Sequence, residues 1–460
     1  MKIVICGAGQ VGSTIARQLA REGNHVTVID LDEEAVRRID ENYDVRGVLG
    51  HASHPRILER ADADDADILI AVTRSDEVNM VACQVAYSLF NVQRRLARLR
   101  HAGYIAPVRE GLYAAEHLPI DEIIAPELEI AHAVARRLKT PGAFDMQVLA
   151  GGRLQLTGIH CDGPCEFSGR RYVDISGEGA LAFGNVLAVI REGQPFFPGM
   201  RDTVEEGDDV YIVAPAADTP DILAAFNHRE KAARSVVIVG GGNVGLHLAR
   251  ELVRNRGGPT IHMIERDKVR AEHCARELGG NVVVLQGDAL EPELLESAKI
   301  ASAETVVAVT DDDETNIFAS VLARRAGCAR AITLVNKKAY QPLLPTLGLF
   351  TVVSPSAVTI STVLRHVRAG KVSALHTIVE DFGEVVEIVL TEDAPLVQKP
   401  FDRVSMPDGL RIGLAMRGDR VILPAADTQF QAGDHVIAVA TYEATSALPS
   451  VFGRGQTVTV

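Results

Sequence analysis

Two glycine-rich segments carry the clearest chemical signal in the sequence. The first reads Gly7-Ala8-Gly9-Gln10-Val11-Gly12, and the second reads Gly240-Gly241-Gly242-Asn243-Val244-Gly245. Between a strand and a helix, the first glycine of such a G-x-G-x-x-G motif makes the turn, the second lets the backbone approach a pyrophosphate, and the third lets helix and strand pack closely. The unpaired N–H groups of the helix then bind the phosphates. Both segments therefore predict nucleotide-binding sites.

An acidic residue follows each glycine motif at the end of the next predicted strand. Asp30 follows Gly12 and Glu265 follows Gly245 at the distance typical of this motif. A carboxylate there binds ribose hydroxyls and opposes a 2′-phosphate, which favours NAD(H) or another adenosine nucleotide over NADP(H). Arg266 weakens that preference in the second site, because an arginine accommodates a phosphate. The alternative for either motif is structural: the glycines only pack strand against helix.

The predicted strands and helices that position these residues occur twice in the chain. Residues 2–30 align with 235–265, and residues 48–79 align with 284–316. Three residue pairs keep one constant spacing: Gly50 and Gly287, Thr73 and Thr310, Asn79 and Asn316. Each copy alternates strands and helices, a pattern that predicts a doubly wound parallel sheet. The sequence therefore predicts two Rossmann domains that arose by internal duplication.

Each predicted Rossmann domain precedes a shorter, strand-rich segment, over about 143–226 and 373–455. The two segments close with similar turns, Gly207-Asp208-Asp209-Val210 and Gly433-Asp434-His435-Val436. The predicted fold class is α/β, with two doubly wound parallel-sheet Rossmann domains, each followed by a small, β-rich α+β domain. The expected domain boundaries are 1–141, 142–228, 229–371 and 372–460.

Other residues at the predicted carboxyl edges of the sheets are also candidates for ligand contact. Thr73 and Thr310 end the fourth strand of each copy, where ligands sit in such sheets. These threonines are also expected to cap the following helices, a role that is compatible with ligand contact. Arg98 lies at the end of the fifth strand, where it either reaches a phosphate or belongs to a solvated basic face. The aligned residue is Leu334, so the two sites are not equivalent.

Composition and charge exclude several functions. The net charge of −14 argues against a nucleic-acid partner, which requires a basic face. No apolar run is long enough to span a membrane, and the start of the chain lacks the pattern of a secretory signal. The six cysteines are too scattered for a disulfide framework, and the one close pair, Cys161 and Cys165, is interpreted as reduced thiols. A cytoplasmic location is expected.

With its repeats aligned, the chain resembles the Trk-type potassium-uptake regulatory family. Members carry two regulator of potassium conductance (RCK, or KTN) units in one chain, and the resemblance covers essentially the whole length. Its marks are GAGQVG with Asp30, the AVT-x-x-(D/E)-x-N segments, ARLR at 97–100 and the small β-rich domains. The resemblance implies a non-enzymatic peripheral subunit on the cytoplasmic face of a Trk-type potassium-translocating membrane protein. It also implies NAD(H) binding, with ATP or ADP as further ligands, and assembly into dimers or a ring.

The family pattern also implies a set of nucleotide-binding residues. In the first unit these are Gly7 to Gly12, Asp30, Thr73, Arg74 and Arg98; in the second they are Gly240 to Gly245, Glu265 and Thr310. The family's G-D-A loop is kept around Asp288 but reads Gly50-His51-Ala52 in the first unit. His51 either makes nucleotide binding pH-sensitive and changes its preference, or is a surface histidine in a loop.

An NAD-dependent dehydrogenase is the main alternative from another class. Such an enzyme needs an acid–base residue within reach of the substrate. His160 and His376 lie in the β-rich segments at positions that do not correspond, so no such residue repeats between the units. The sequence therefore favours a regulator over an enzyme, and a scaffold with a degenerate second site is the third interpretation.

Overall fold

The computed structural model describes residues 1–105, 111–114, 116–254, 257–367, 374–379 and 382–453. Across these ranges the strands form two six-stranded parallel sheets and two five-stranded antiparallel sheets, which alternate along the chain. The predicted fold class is confirmed. None of the described helices combines the length and apolarity that crossing a bilayer requires.

The first Rossmann sheet has the strand order β3-β2-β1-β4-β5-β6. Its strands are β1 (Lys2–Cys6), β2 (His25–Asp30), β3 (Arg46–Leu49), β4 (Ile68–Ala71), β5 (Arg94–Arg98) and β6 (Glu122–Ile124). Its helices are α1 (Gln10–Arg21), α2 (Glu33–Asn42), α3 (Pro55–Arg60), α4 (Asp76–Phe90), α5 (Ala102–Ile105) and α6 (Pro126–Lys139). β1 is buried from Ile3 to Cys6, as expected for a central parallel strand covered on both faces.

The first β-rich domain is an antiparallel sheet of order β10-β9-β11-β8-β7. Its strands are β7 (Ala143–Leu149), β8 (Leu154–His160), β9 (Asn185–Arg191), β10 (Gln194–Phe196) and β11 (Asp209–Pro215), with helices α7 (Tyr172–Ile175) and α8 (Thr219–Ala225). Its core packs aromatic side chains together, and the rings of Phe167 and Phe226 lie 5.1 Å apart. The buried residues of this core all lie within 143–226, separate from the core of the first parallel sheet.

The second half repeats both sheets. The second Rossmann sheet has the order β14-β13-β12-β15-β16-β17, and the second antiparallel sheet has the order β18-β19-β22-β20-β21. The parallel strands are β12 (Ser235–Val239), β13 (Thr260–Glu265), β14 (Val282–Gln286), β15 (Thr305–Ala308), β16 (Arg330–Leu334) and β17 (Thr351–Val353). Their helices are α9 (Asn243–Arg254), α10 (Lys268–Leu278), α11 (Pro292–Ser297), α12 (Asp313–Arg325) and α13 (Pro355–Val367). The antiparallel domain comprises β18 (Ala374–Val379), β19 (Gly383–Val389), α14 (Pro395–Gln398), β20 (Leu410–Arg417), β21 (Arg420–Ile422), β22 (His435–Thr441) and α15 (Leu448–Phe452).

Several short strands were not predicted from the sequence. β6 and β17 add a sixth strand to each parallel sheet, and β10 and β21 add a fifth to each antiparallel sheet. Each has only three residues, too few for an alternating pattern to be recognised. The expected boundary between 371 and 372 lies outside the described residues.

The described residues divide into two compact units that do not follow chain order. The described residues within 1–126, 356–418 and 424–460 form one unit, and those within 127–355 and 419–423 form the other. In the first unit, Gln10 at the start of α1 donates from Nε2 to Ser356 Oγ on α13 at 3.4 Å. In the second, His132 Nε2 on α6 lies 3.7 Å from Glu251 Oε2 on α9. Each Rossmann sheet is thus grouped with the β-rich sheet of the other half.

Both β-rich domains contain a buried aspartate paired with a partly exposed arginine, a contact that the sequence analysis missed. Asp208 is fully buried, and its carboxylate accepts hydrogen bonds from Arg191 Nε at 2.7 Å and Nη2 at 2.9 Å. Asp434 repeats this with Arg417, at 2.8 Å and 2.7 Å. Each aspartate directly precedes the last long strand of its sheet, so the pair fixes the turn into that strand.

His160 makes a charge-assisted contact at the end of β8. Its Nδ1 lies 2.6 Å from Asp209 Oδ1, and its ring stacks on Phe350 at 4.7 Å. The hydrogen bond to Asp209 raises the pKa of His160, against the opposing effect of burial. His376 lies instead on β18, opposite Val385, which confirms that the two histidines do not correspond.

We expect the stability of the wild-type protein to fall as the pH rises through the folded-state pKa of His160. A group whose pKa is raised by folding stabilises the protein fully at low pH and loses that contribution on deprotonation. The loss should be about 1 kcal/mol, near the range of a hydrogen bond to a charged group. Denaturant unfolding between pH 6 and 9 measures it. His160→Gln should flatten the profile, and parallel profiles for the two proteins would contradict the assignment.

Candidate nucleotide-binding sites

The first and third glycines of the first motif have structural roles. Gly7 follows β1 with φ +114°, a conformation that favours glycine. A Cβ on Gly12 would lie 1.8 Å from the carbonyl oxygen of Gly7, so any larger residue would push the turn and α1 apart. These two glycines therefore set the close approach of α1 to β1.

The second glycine of the motif faces open space. A Cβ added to Gly9 would meet no heavy atom within 4 Å. Gly9 is also the N-cap of α1, and no side chain caps this helix, whereas Asp32 caps α2 and Ser75 caps α4. A bare helix N-terminus beside a backbone without a side chain fits a pyrophosphate group, which would accept from its N–H groups.

Asp30 lies at the rim of this turn. Its carboxylate accepts from the backbone N–H of Ala8 and, at 2.9 Å, from that of Asp32. Its carbonyl accepts from the N–H of Gly50 at 2.8 Å, which brings the loop with His51 beside the glycine motif. His51 Nδ1 lies 2.8 Å from Ser53 Oγ, and its ring stacks on His54 at 4.7 Å. The predicted ribose contact of Asp30 stays a prediction.

The second site repeats the geometry around a cavity of about 310 Å³. Gly240 has φ +107°, a Cβ on Gly245 would lie 2.0 Å from the oxygen of Gly240, and a Cβ on Gly242 would meet nothing within 4 Å. Glu265 accepts from the N–H of Gly241 at 2.6 Å. The cavity is lined by residues that include Gly240, Gly242, Glu265, Asp288, Thr310 and Asp311.

Arg270 is a feature of the second site that the sequence analysis missed. Its Nε donates to the carbonyl of Gly241 at 2.6 Å, and its Nη2 donates to Asn243 Oδ1 at 3.0 Å. The guanidinium therefore holds the glycine loop from the α10 side. The equivalent position on α2 is Ala35, so comparison of the repeats shows a difference here but not its role.

Thr73 and Thr310 are held by buried asparagines. Asn79 is fully buried; its Oδ1 accepts from the N–H of Thr73 at 2.9 Å, and its Nδ2 donates to the carbonyl of Arg98 at 2.8 Å. Asn316 makes the same contacts with Thr310 and Leu334. The expected capping role of the threonines is wrong, because Ser75 and Asp312 cap the next helices. The fourth strands also end at Ala71 and Ala308, two residues earlier than expected.

We expect Asn79→Ala to weaken both stability and nucleotide binding at the first site. It leaves the N–H of Thr73 and the carbonyl of Arg98 without their partner, which costs about 1–3 kcal/mol for each group kept from water. Thermal unfolding and a nucleotide titration measure the two effects. Asn316→Ala is the matched variant and should affect the second site alone. Wild-type values for both variants would mean that these amides do not hold the site.

Arg74 and Arg98 lie at the same edge of the first sheet. Arg98 is the last residue of β5 and half-buried, and Arg74 is exposed directly after Thr73. The segment after β5 is fixed by Asp76, whose carboxylate accepts from the N–H groups of Arg100 and His101. The structure therefore brings Gly9, Asp30, Thr73 and Arg98 to one edge, the carboxyl ends of the strands.

A larger hollow of about 620 Å³ lies at the opposite end of the first sheet. It is lined by residues at the amino ends of β1, β2 and β3, among them Lys2, His25 and Arg46. Ligands of open α/β sheets bind outside the carboxyl ends of the strands. The glycine motifs lie at that end of the strands, and this hollow does not.

Comparison with known proteins agrees with this arrangement. The TrkA-N domain family matches residues 3–126 and 236–355, and the TrkA-C domain family matches residues 385–453. The Trk system potassium uptake protein TrkA of Azorhizobium caulinodans is 39% identical over 437 residues, 95% of each chain. That of Halomonas elongata is 35% identical over 440 residues, again 95% of each. The chain belongs to this TrkA family. The family resemblance stated from the sequence is thereby confirmed.

Solved structures show the same fold at lower identity. The RCK domain of GsuK has a TM-score of 0.59 and 19% identity, covering 98% of this chain and 94% of that one. A GsuK channel described as bound to NAD has a TM-score of 0.58 and 18% identity, covering 98% of this chain and 78% of that one. The TrkA-C match falls on the second β-rich domain, and the first has the same strand order.

Proposed function

We propose that the chain is a nucleotide-binding regulatory subunit that controls potassium uptake through a Trk-type membrane protein. It acts from the cytoplasmic face, as a peripheral subunit assembled into dimers or a ring, and it is not an enzyme. NAD(H) is its ligand, with ATP or ADP as further ligands. The observation that carries the proposal is the uncapped N-terminus of α1 beside the open face of Gly9; Gly242 has the same open face in the second motif. The names of the family members supply the link to potassium uptake.

Regulation of this kind requires several sites to act together. A ligand shifts a conformational equilibrium only through its different affinities for the two states. Moving a population from 1:99 to 99:1 needs about 5.5 kcal/mol, whereas a tenfold preference at one site supplies about 1.4 kcal/mol. Two sites in each chain of an assembly provide the larger value. Duplication of the Rossmann domain is therefore consistent with a switch.

Within each compact unit, the helix that follows the glycine motif contacts a helix that precedes a β-rich domain. Gln10 belongs to the glycine motif and also contacts Ser356 on α13. It directly follows Gly9, where a phosphate would approach the backbone, so the ligand would bind next to this contact. In the second unit, Glu251 lies in the third turn of α9, beyond the glycine motif, and its Oε2 is 3.7 Å from His132 Nε2 on α6. Nucleotide binding at either glycine motif would thus bear on a helix that leads into a β-rich domain.

The test is potassium flux in liposomes that contain a Trk-type membrane subunit and the full chain. Addition of NADH or ATP should change the flux several-fold for the wild type. The double variant Gly9→Val with Gly242→Val should abolish that response, while Gly163→Val, a glycine with equally open surroundings outside both motifs, should keep it. A wild-type potassium flux that does not change when nucleotide is added would contradict the proposal. Steady NADH consumption by the chain would contradict it as well.

A further inference from the structure

The second nucleotide site is lined by an excess of negative charge. Glu265, Asp288, Asp311 and Asp312 all line its cavity, and Arg266 is the one cation among the described lining residues. Asp288 Oδ1 accepts from the N–H of Leu290 at 2.9 Å, and Asp312 Oδ1 accepts from that of Thr315 at 2.7 Å. These hydrogen bonds hold both carboxylates in place at the edge where phosphates would bind.

The equivalent positions of the first site carry a different set of charges. Three of the four carboxylates are replaced, and the cation beside the acid becomes an aliphatic residue. Glu265 corresponds to Asp30, Asp288 to His51, Asp311 to Arg74, Asp312 to Ser75 and Arg266 to Leu31. The last residue of the fifth strand is Arg98 in the first sheet and Leu334 in the second. The first site is therefore more positive than the second.

Arg270 offsets only part of this difference. Its guanidinium is engaged by the carbonyl of Gly241 and by Asn243 Oδ1, so it supports the glycine loop from behind. It adds positive charge near the pyrophosphate position, where both kinds of ligand have phosphates. Asp288 follows β14 and Asp311 follows β15, so the two carboxylates line the cavity from either side of the strand that leads to Gly240. A longer phosphate chain would therefore bring more negative charge into a cavity that already holds these carboxylates.

We propose that the two sites select different nucleotides: the second binds a dinucleotide such as NADH and disfavours a triphosphate, and the first accepts a triphosphate. This specificity rests on the proposed nucleotide-binding function. A triphosphate carries more negative charge than the pyrophosphate of a dinucleotide, so like charges in the cavity oppose it more strongly. The cavity dimensions are within about one Debye length, roughly 8 Å at physiological salt, so the repulsion is only partly screened.

The experiment isolates each site in the full chain and measures binding by calorimetry, with chelator present so that no divalent cation neutralises the phosphates. Gly9→Val leaves only the second site, and Gly242→Val leaves only the first. We expect the second site to bind NADH at least about tenfold more tightly than ATP, and the first to bind ATP at least as tightly as NADH. Higher salt should reduce the preference of the second site.

A charge exchange tests the cause of the preference. In the Gly9→Val chain, Asp288→His with Asp311→Arg should raise ATP affinity about tenfold and change NADH affinity much less. Glu296→Arg is the matched control: it is exposed on α11, lies outside the lining residues, and should leave both affinities unchanged. Equal ratios of ATP to NADH affinity in the two isolated sites would overturn the proposal, as would an exchange without effect. Failure of the underlying function is distinct, because then neither ligand would bind either single-site chain.

Discussion

Replacement of Gly9 by valine is expected to abolish nucleotide binding at the first site and to leave the fold intact. The new side chain would enter space that holds no protein atom within 4 Å of its Cβ, so nothing in the protein must move. It would occupy the place where the pyrophosphate approaches the backbone. We expect at least about a hundredfold loss of affinity, or roughly 2.7 kcal/mol. Titration calorimetry measures the loss, and an unchanged unfolding temperature shows that the fold is kept.

Gly12→Ala, three residues further along the motif, is expected to lower the stability of the fold, unlike Gly9→Val. Its Cβ would lie 1.8 Å from the carbonyl oxygen of Gly7, so α1 must shift away from β1. Overpacking of this kind costs about 1–3 kcal/mol or more. We expect a lower unfolding temperature for Gly12→Ala and wild-type stability for Gly9→Val. If both variants lost stability equally, Gly9 would be a packing residue, and the glycine motif would give no evidence for a ligand.

Removal of one partner of a buried arginine–aspartate pair is expected to be the most destabilising charge substitution in the β-rich domains. Arg417→Met leaves the fully buried Asp434 without its charged partner, and Asp208→Asn removes the buried carboxylate that pairs with the partly exposed Arg191. Breaking such a pair costs about 3–5 kcal/mol. For a domain of this size the unfolding temperature should fall on the order of 10 °C. Scanning calorimetry measures the fall.

The control for this prediction is an exposed pair in the same domain. Arg171 Nε lies 2.6 Å from Asp174 Oδ2, but both side chains are more than 40% exposed. Arg171→Ala should therefore cost less than about 1 kcal/mol. An equal effect of Arg171→Ala and Asp208→Asn would mean that burial does not make the Asp208 pair strong.

The buried aspartate should also set part of the acid sensitivity of the protein. Burial alone would raise the pKa of Asp208, but hydrogen bonds from Arg191, Tyr172 and the N–H of Glu205 together lower it. A carboxyl whose pKa is lowered by folding stabilises the protein above its unfolded pKa, about 4, and loses that contribution as the pH falls further. Asp208→Asn should therefore show a weaker loss of stability between about pH 5 and 2 than the wild type.

The repeated elements could be predicted from the sequence because the same pattern occurs in both copies. The glycine motifs, the acids at Asp30 and Glu265 and the helix over 76–90 recur at nearly constant spacing, and chance does not produce such a register. Their geometry follows from general rules of strand–turn–helix units. The fold class was therefore predictable before any comparison with known proteins.

Other features were not predictable because they depend on tertiary contacts. The repeat singled out Asn79 together with Asn316, but only the fold shows that the amide of Asn79 joins Thr73 to Arg98. Asp208 and Arg191 are separated by 17 residues in the chain, and no local pattern indicates that they meet. The grouping of each Rossmann sheet with the β-rich sheet of the other half is also invisible in chain order.

The most direct test of the central claim is the number of nucleotides that one chain binds. Titration of the full wild-type chain with NADH should give two sites, each single variant at Gly9 or Gly242 should give one, and the double variant should give none, without NADH consumption in any case. A wild-type chain that binds no NADH or ATP, or a double valine variant that binds as the wild type does, would contradict the account. In that event the glycine motifs would serve only to pack α1 and α9 against their sheets.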